Sequence, residues 1–225
     1  MSDCNILATG AATRRGHRSD RGLLSRRIVR SVAFAAGLIG LSASPATARS
    51  PQNPFMALAQ EITPPRGFAA MCGSQPELCT NAGAIQAGTG ADDGILENLH
   101  VLDRINRRTN RAVRQEADTR TYGRADLWMP AGSHAKPVGD CEDIAIEKRQ
   151  QLIKAGFPAD RLFLGVVHAR RLGLHVVLVA RTASGDLVLD SRADAIRSWR
   201  DVPYTWIGAQ SGQEPLRWFG IDTIS

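Results

Sequence analysis

Cys141, His175 and Asp190 are residues whose types and order could make a nucleophile. Cys141 stands in Gly139-Asp140-Cys141-Glu142-Asp143, at the predicted start of a helix. Unpaired backbone N–H groups and the helix dipole favour negative charge there. A thiol in that position ionises more readily, and the thiolate is the reactive form of cysteine. His175 opens an apolar run, His175-Val-Val-Leu-Val-Ala180, and Asp190 closes the next one. An imidazole beside the thiolate would act as ion-pair partner and then as general acid. A carboxylate would hold that imidazole in one tautomer and orientation. Each residue alone has a plainer use, as a buried cysteine, a strand-end histidine or a turn-capping acid. Their joint setting favours acyl transfer through a thioester.

The elements that must position them are legible as periodicities. Ile95, Leu99, Leu102 and Ile105 recur at spacings of four, three and three, which predicts a helix that Asp92-Asp93 could open. Arg104, Arg107, Arg108, Arg111 and Arg114 fill its polar side, as a solvated face or, less simply, a docking surface. Residues 115–139 read as a loop carrying Tyr122, Asp126, Trp128 and Pro130. A second helix runs from Asp140 to Ala155 with Gly156 as its stop. Leu162–Val167, His175–Ala180 and Leu187–Leu189 read as strands, the last two joined by a tight turn at Ser184-Gly185. Paired in register, that hairpin would set His175 beside Asp190. Helices followed by hairpin-linked strands predict an α+β domain with a largely antiparallel sheet.

The chain carries 28 Lys and Arg against 22 Asp and Glu, a net charge of +6 over 225 residues. Seven of the arginines fall in residues 1–48 against only Asp3 and Asp20, leaving 21 basic and 20 acidic side chains beyond. A nucleic-acid footprint needs its basic charge on the folded domain, so no nucleic-acid partner is expected. Residues 1–48 read as a signal peptide. An Arg-rich segment ends at Arg30, an apolar stretch runs from Ser31 to Leu41, and Ala46-Thr47-Ala48 supplies a cleavage signal. General secretion is favoured over the twin-arginine route, which Ser25-Arg26-Arg27 matches only in part. Export to the periplasm or beyond follows, and once cleaved the chain would be no integral membrane protein. Residues 49–66 read as a linker or extended arm and residues 67–225 as the working domain.

Loss of the leader would remove Cys4 and leave an odd number of cysteines. Cys72 and Cys79 lie close enough to close a small loop, and their pairing would leave Cys141 alone. A metal site is the competing use of the pair, but no histidine or second cysteine pair lies close by.

The Gly139–Asp143 motif with Ala145, the run Leu174-His175-Val-Val-Leu178 and the stretch Gly185–Asp190 resemble the bacterial transglutaminase-like cysteine peptidases, the LapG-like periplasmic proteases. Phe68, Pro76, Trp128, Pro130, Trp199, Tyr204, Gln210-Ser211 and Trp218 agree with it, so the resemblance spans about residues 65–220. It implies a papain- and transglutaminase-like core. Cys141 would be the nucleophile, His175 the general base and acid, and Asp190 the orienting carboxylate. His168 ranks second because it lacks the apolar run that follows the family's histidine. Trp128 is a candidate oxyanion donor. A cell-surface or periplasmic protein would be the substrate, and a membrane receptor could control activity.

Asp140, Glu142 and Asp143 crowd a cysteine that needs to be anionic, and unneutralised they would raise its pKa. The resemblance implies a calcium site built from these three acids, suiting a cation that prefers flexible oxygen clusters. The plainer reading is that acids in a first helical turn complement the dipole. Three positions depart from the family pattern: Gly132 where an acid is usual, Ile144 where an aromatic is usual, and Ser191 where Asn is usual. They put the choice of substrate in question. The reading is thus an exported thiol hydrolase of peptide bonds. The alternatives are a transglutaminase or other acyl transferase with the same triad, or a non-catalytic binding module of the same fold. Thiol–disulfide exchange is disfavoured by the lack of a Cys-x-x-Cys pair.

Overall fold

The computed structural model describes residues 53–81, 99–133 and 136–223. The expected signal segment 1–48 and the helix start at Asp92-Asp93 lie outside them. Among the described residues no helix is long and apolar enough to cross a membrane.

Alternating apolar residues build a seven-stranded antiparallel sheet. Its strands are β1 (Ala57–Ile62), β4 (Leu162–Ala169), β5 (Gly173–Thr182), β6 (Gly185–Leu189), β7 (Arg197–Ser198), β8 (Tyr204–Gln210) and β9 (Trp218–Asp222), in the spatial order β1-β9-β8-β4-β5-β6-β7. Two further short strands, β2 (Arg114–Gln115) and β3 (Val138–Gly139), form a separate parallel pair. The helices are α1 (Arg66–Ser74), α2 (Leu99–Ala112), α3 (Asp118–Thr121) and α4 (Cys141–Lys154).

Strands β4 and β5 are buried on both sides, which is why they read as near-continuous apolar runs. Leu162, Leu164, Val166, Val176, Leu178 and Ala180 face one core, shared with Leu102 and Ile105 of α2 and with Ala145, Ile146 and Leu152 of α4. Phe163, Val167, Val177 and Val179 face the other, with Trp199, Trp206 and Met56. Burial of this kind is worth roughly 1.5–3 kcal/mol per large apolar side chain, and here it pins α4 against β5.

The β5–β6 hairpin pairs Leu178 with Leu189 and Thr182 with Gly185. Gly185 has φ 135°, and a Cβ there would lie 2.7 Å from the Pro54 carbonyl, so the turn requires glycine. The same contact corrects the expected domain boundary at residue 67. Pro54 accepts N–H bonds from Asp186 and the Trp199 indole, and Met56 N–H donates to Asp186 Oδ2 at 2.7 Å. Residues 54–62, expected as a linker or extended arm, are an extended arm bound to the folded unit, with β1 as an edge strand paired to β9. The loop expected over 115–139 contains the two short strands and α3.

Candidate active site

Cys141 is the first residue of α4 and Asp140 is its N-cap. The glycine of the motif is needed for packing: a Cβ at Gly139 would lie 2.6 Å from Cβ of Asp143. Apolar side chains at Ala145, Ile146 and Leu152 seat the helix on the sheet, so its first turn meets β5. Val176 N–H donates to Cys141 Sγ at 3.1 Å. Cys141 and His175 line one narrow cleft with Gln115, Asp140, Leu172, Leu174, Ser191 and Arg192.

On the hairpin, His175 Nε2 lies 2.8 Å from Asp190 Oδ1. With Nε2 as donor, Nδ1 is left as the ring's other nitrogen for proton transfer. The contact is diagonal: Asp190 follows the last paired residue of β6, and His175 lies three residues before its partner Leu178. The other carboxylate oxygen accepts the Tyr204 hydroxyl, and Oδ1 also accepts Arg192 N–H at 2.9 Å. Burial pushes the Asp190 carboxyl up, but His175, Tyr204 and the Arg192 N–H outweigh it and hold the group at about 2. It is an ionised carboxylate throughout the neutral range, as an orienting partner of imidazole must be. His168 is exposed on β4 opposite Leu174, away from this cluster.

Cys72 and Cys79 form a disulfide. Cys141 is not the leftover free thiol that the sequence predicts: its sulfur is disulfide-bonded in this structure.

Trp128 does not fill the oxyanion role through its side chain. Its indole N–H donates to Asp126 Oδ1 at 2.8 Å, and its ring packs edge-on against Phe68 in the core. Gly132, one of the departures noted above, makes room for Glu147: its N–H donates to Glu147 Oε2, and a Cβ there would lie 2.7 Å from that oxygen. An acid at 132 would face a second acid.

The acids around Cys141 divide differently from the sequence expectation. Asp118, Asp140 and Glu142 are buried and each offers an oxygen within 4.8 Å of the others. Asp143 is not in that group; its Oδ1 accepts Met129 N–H at 2.9 Å. Burial, then repulsion by Asp140, pushes Asp118 up to about 6 and Asp143 up to about 9. Burial and the Asp140 charge also raise Glu142 well above the carboxylate range. Asp118 Oδ1, Asp140 Oδ1 and Asp143 Oδ2 are buried with no hydrogen-bond partner among the described residues. Several buried carboxylates with open oxygens form an all-oxygen donor set, which fits a hard cation such as calcium. Glu142 Oε2 lies 3.1 Å from Cys141 Sγ, so this cluster adjoins Cys141. Asp118 carried no sequence signal, because it lies 22 residues ahead of Asp140 with no metal-ligand spacing.

The model of the bacterial transglutaminase-like cysteine proteinases matches residues 58–225. The chain belongs to that family. Its fold is accordingly the α+β transglutaminase-like core, and family membership implies cysteine peptidase activity. Among solved structures it is similar to calcium-bound LapG of Legionella pneumophila, at 24% identity and a TM-score of 0.43, over 52% of this chain and 70% of that one. It is likewise similar to EGTA-treated LapG of the same organism, at 25% identity and a TM-score of 0.43, over 52% and 68%. No curated protein matches the chain.

Proposed function

We propose that the protein is an exported cysteine peptidase that works through Cys141, His175 and Asp190 and cleaves a periplasmic or cell-surface protein. The observation that carries this reading is the His175–Asp190 hydrogen bond on a cleft that Cys141 also lines. The working form has Cys141 as a thiol. Its thiolate attacks the peptide carbonyl carbon, and His175 gives its proton to the departing amine as the C–N bond breaks. A thioester remains. Water then attacks it, His175 takes the water's proton, and the thiolate leaves as the acid product forms. The Cys141 backbone N–H, at the open end of α4, is the donor for the developing oxyanion.

Asp118, Asp140 and Glu142 would hold calcium, which would neutralise the acids around the nucleophile and order the segment between α3 and α4. The cation has no part in bond making. A membrane receptor that controls access to the cleft belongs to the same reading.

Water and a primary amine are the two competing acyl acceptors. The deciding assay incubates the reduced protein, with calcium, with a surface-protein extract and a fluorescent primary amine. New peptide amino termini, absent with a Cys141→Ala variant, are expected. Amine incorporation without new termini would replace the peptidase by an acyl transferase, and neither product would favour the binding module.

A further inference from the structure

We infer that Lys148, with Asn106 and Asn110, is a positioning device for Asp190, by which the helix that carries the nucleophile also fixes the turn that carries the acid. This rests on the triad reading above. Lys148 lies on α4 seven residues beyond Cys141 and is 0% exposed. Among the described residues none of the ion pairs includes it. A buried ammonium without a paired carboxylate is expensive, and an apolar side chain of similar volume would serve plain packing better. Its Nζ donates to Asn106 Oδ1 at 2.6 Å. An ammonium can only donate, so it fixes the oxygen end of that carboxamide and turns the NH2 the other way. Asn106 Nδ2 accordingly donates to the carbonyls of Ala193 at 3.0 Å and Asp194 at 3.1 Å. One turn further along α2, Asn110 Nδ2 donates to the carbonyls of Asp190 at 3.0 Å and Ala193 at 3.2 Å. Gln115 Nε2 adds the Ser191 carbonyl at 2.7 Å.

Four main-chain carbonyls of the turn 190–194 are thus held by three carboxamides from one segment, and the first of these is oriented by Lys148. No strand ladder holds the turn: Asp190 stands past the end of β6 and pairing stops at Leu189, so beside the side-chain bonds of Asp190 itself these carboxamides are what fix its main chain. Burial pushes the Lys148 amine down to about 7, against the attraction of Asp190 and Asp194, so the amine also feels the acid it positions.

The test uses the reduced full chain. Iodoacetamide alkylation of Cys141 at pH 7 is followed by mass spectrometry of its peptide. The ring N–H of His175 is followed by 15N-edited NMR, assigned with a His175→Gln variant. Asn106→Asp keeps an acceptor for Lys148 but offers the turn no N–H. Roughly tenfold slower alkylation and a His175 ring proton shifted toward free imidazole are expected, in a chain that still unfolds cooperatively. Half-buried Asn110→Ala moves both readouts the same way by less. Wild-type alkylation and an unshifted His175 signal in both variants overturn the inference, whatever Lys148→Met does to folding. If His175→Gln leaves alkylation of the otherwise wild-type chain unchanged, the triad reading fails first and this inference falls with it.

Discussion

Helices α2 and α4 both carry many charges, yet they treat them in opposite ways. On α2 the arginines stay in water: Arg104 and Arg108 are exposed, and Arg107 and Arg111 lie near the surface carboxylates of Asp103 and Asp194. On α4 and its cap, Asp140, Glu142, Asp143, Lys148 and Arg149 are all buried. Burial of a charge costs several kcal/mol unless it is matched. A fold keeps such a cost where the charge has work to do. On α4 the acids gather beside Cys141, Lys148 orients the carboxamide that holds the turn after Asp190, and Arg149 ties the disulfide segment to β4. On α2 the polar residues that make such buried ties, Asn106, Thr109 and Asn110, lie on the face turned inward.

The contrast can be broken most sharply at Arg149. Its guanidinium donates to the carbonyls of Leu162 and Leu78 and to Asn81 Oδ1, all at 3.3 Å. Arg149→Met should cost on the order of 3 kcal/mol in urea unfolding, because the Leu162 and Leu78 carbonyls and Asn81 Oδ1 lose a charged donor. A cost below 1 kcal/mol would put this cation in the same class as those of α2.

Calcium comes next. At a hundredfold excess over its dissociation constant a ligand adds about 2.7 kcal/mol, or roughly 5–10 °C in a domain of this size. Asp118→Asn should raise the unfolding midpoint of the metal-free protein, by removing one repelling carboxyl, and abolish the calcium response. An equal calcium shift in wild type and variant would exclude Asp118 as a ligand.

Asp190 supplies the pH test. Its folded-state value of about 2 lies below the unfolded one of roughly 3.9. The stabilisation is therefore complete above pH ~4 and lost as pH falls through ~2, an amount of about 2 kcal/mol. Between pH 5 and pH 2 the wild type should lose that much more stability than Asp190→Asn. Parallel curves would mean that His175 and Tyr204 do not hold the carboxylate.

The smallest effect belongs to α2. Arg104→Gln and Arg108→Gln should each change stability by less than about 0.5 kcal/mol and leave Cys141 alkylation unaltered.

How much of this was legible in the sequence follows the same divide. The apolar spacing of Leu102 and Ile105 announced α2, and the runs at 162–167, 175–180 and 187–189 announced three strands, because side chains facing water or core leave a period. Cys141, His175 and Asp190 could be singled out because a cysteine, a histidine and an aspartate in that order and setting have the chemistry of a proposed nucleophile, base and orienting acid. Asp118, Asn106, Asn110 and Lys148 could not. Their roles depend on which buried polar atoms meet across the fold, and amphipathic periodicity does not record that. Trp128 misled for the same reason, since its indole N–H was already taken by Asp126. The missed edge strand β1 has only short alternation, and its place depends on Asp186 and Trp199, some 130 to 145 residues away.

The most direct measurement is the pH dependence of Cys141 alkylation by iodoacetamide in the reduced, calcium-loaded protein, with His175→Ala as control. A thiolate–imidazolium pair gives rapid alkylation about two units below the free-thiol pKa of roughly 8.5, and the His175→Ala chain loses it. Alkylation that rises only near 8.5 and is the same in both proteins would contradict a catalytic Cys141.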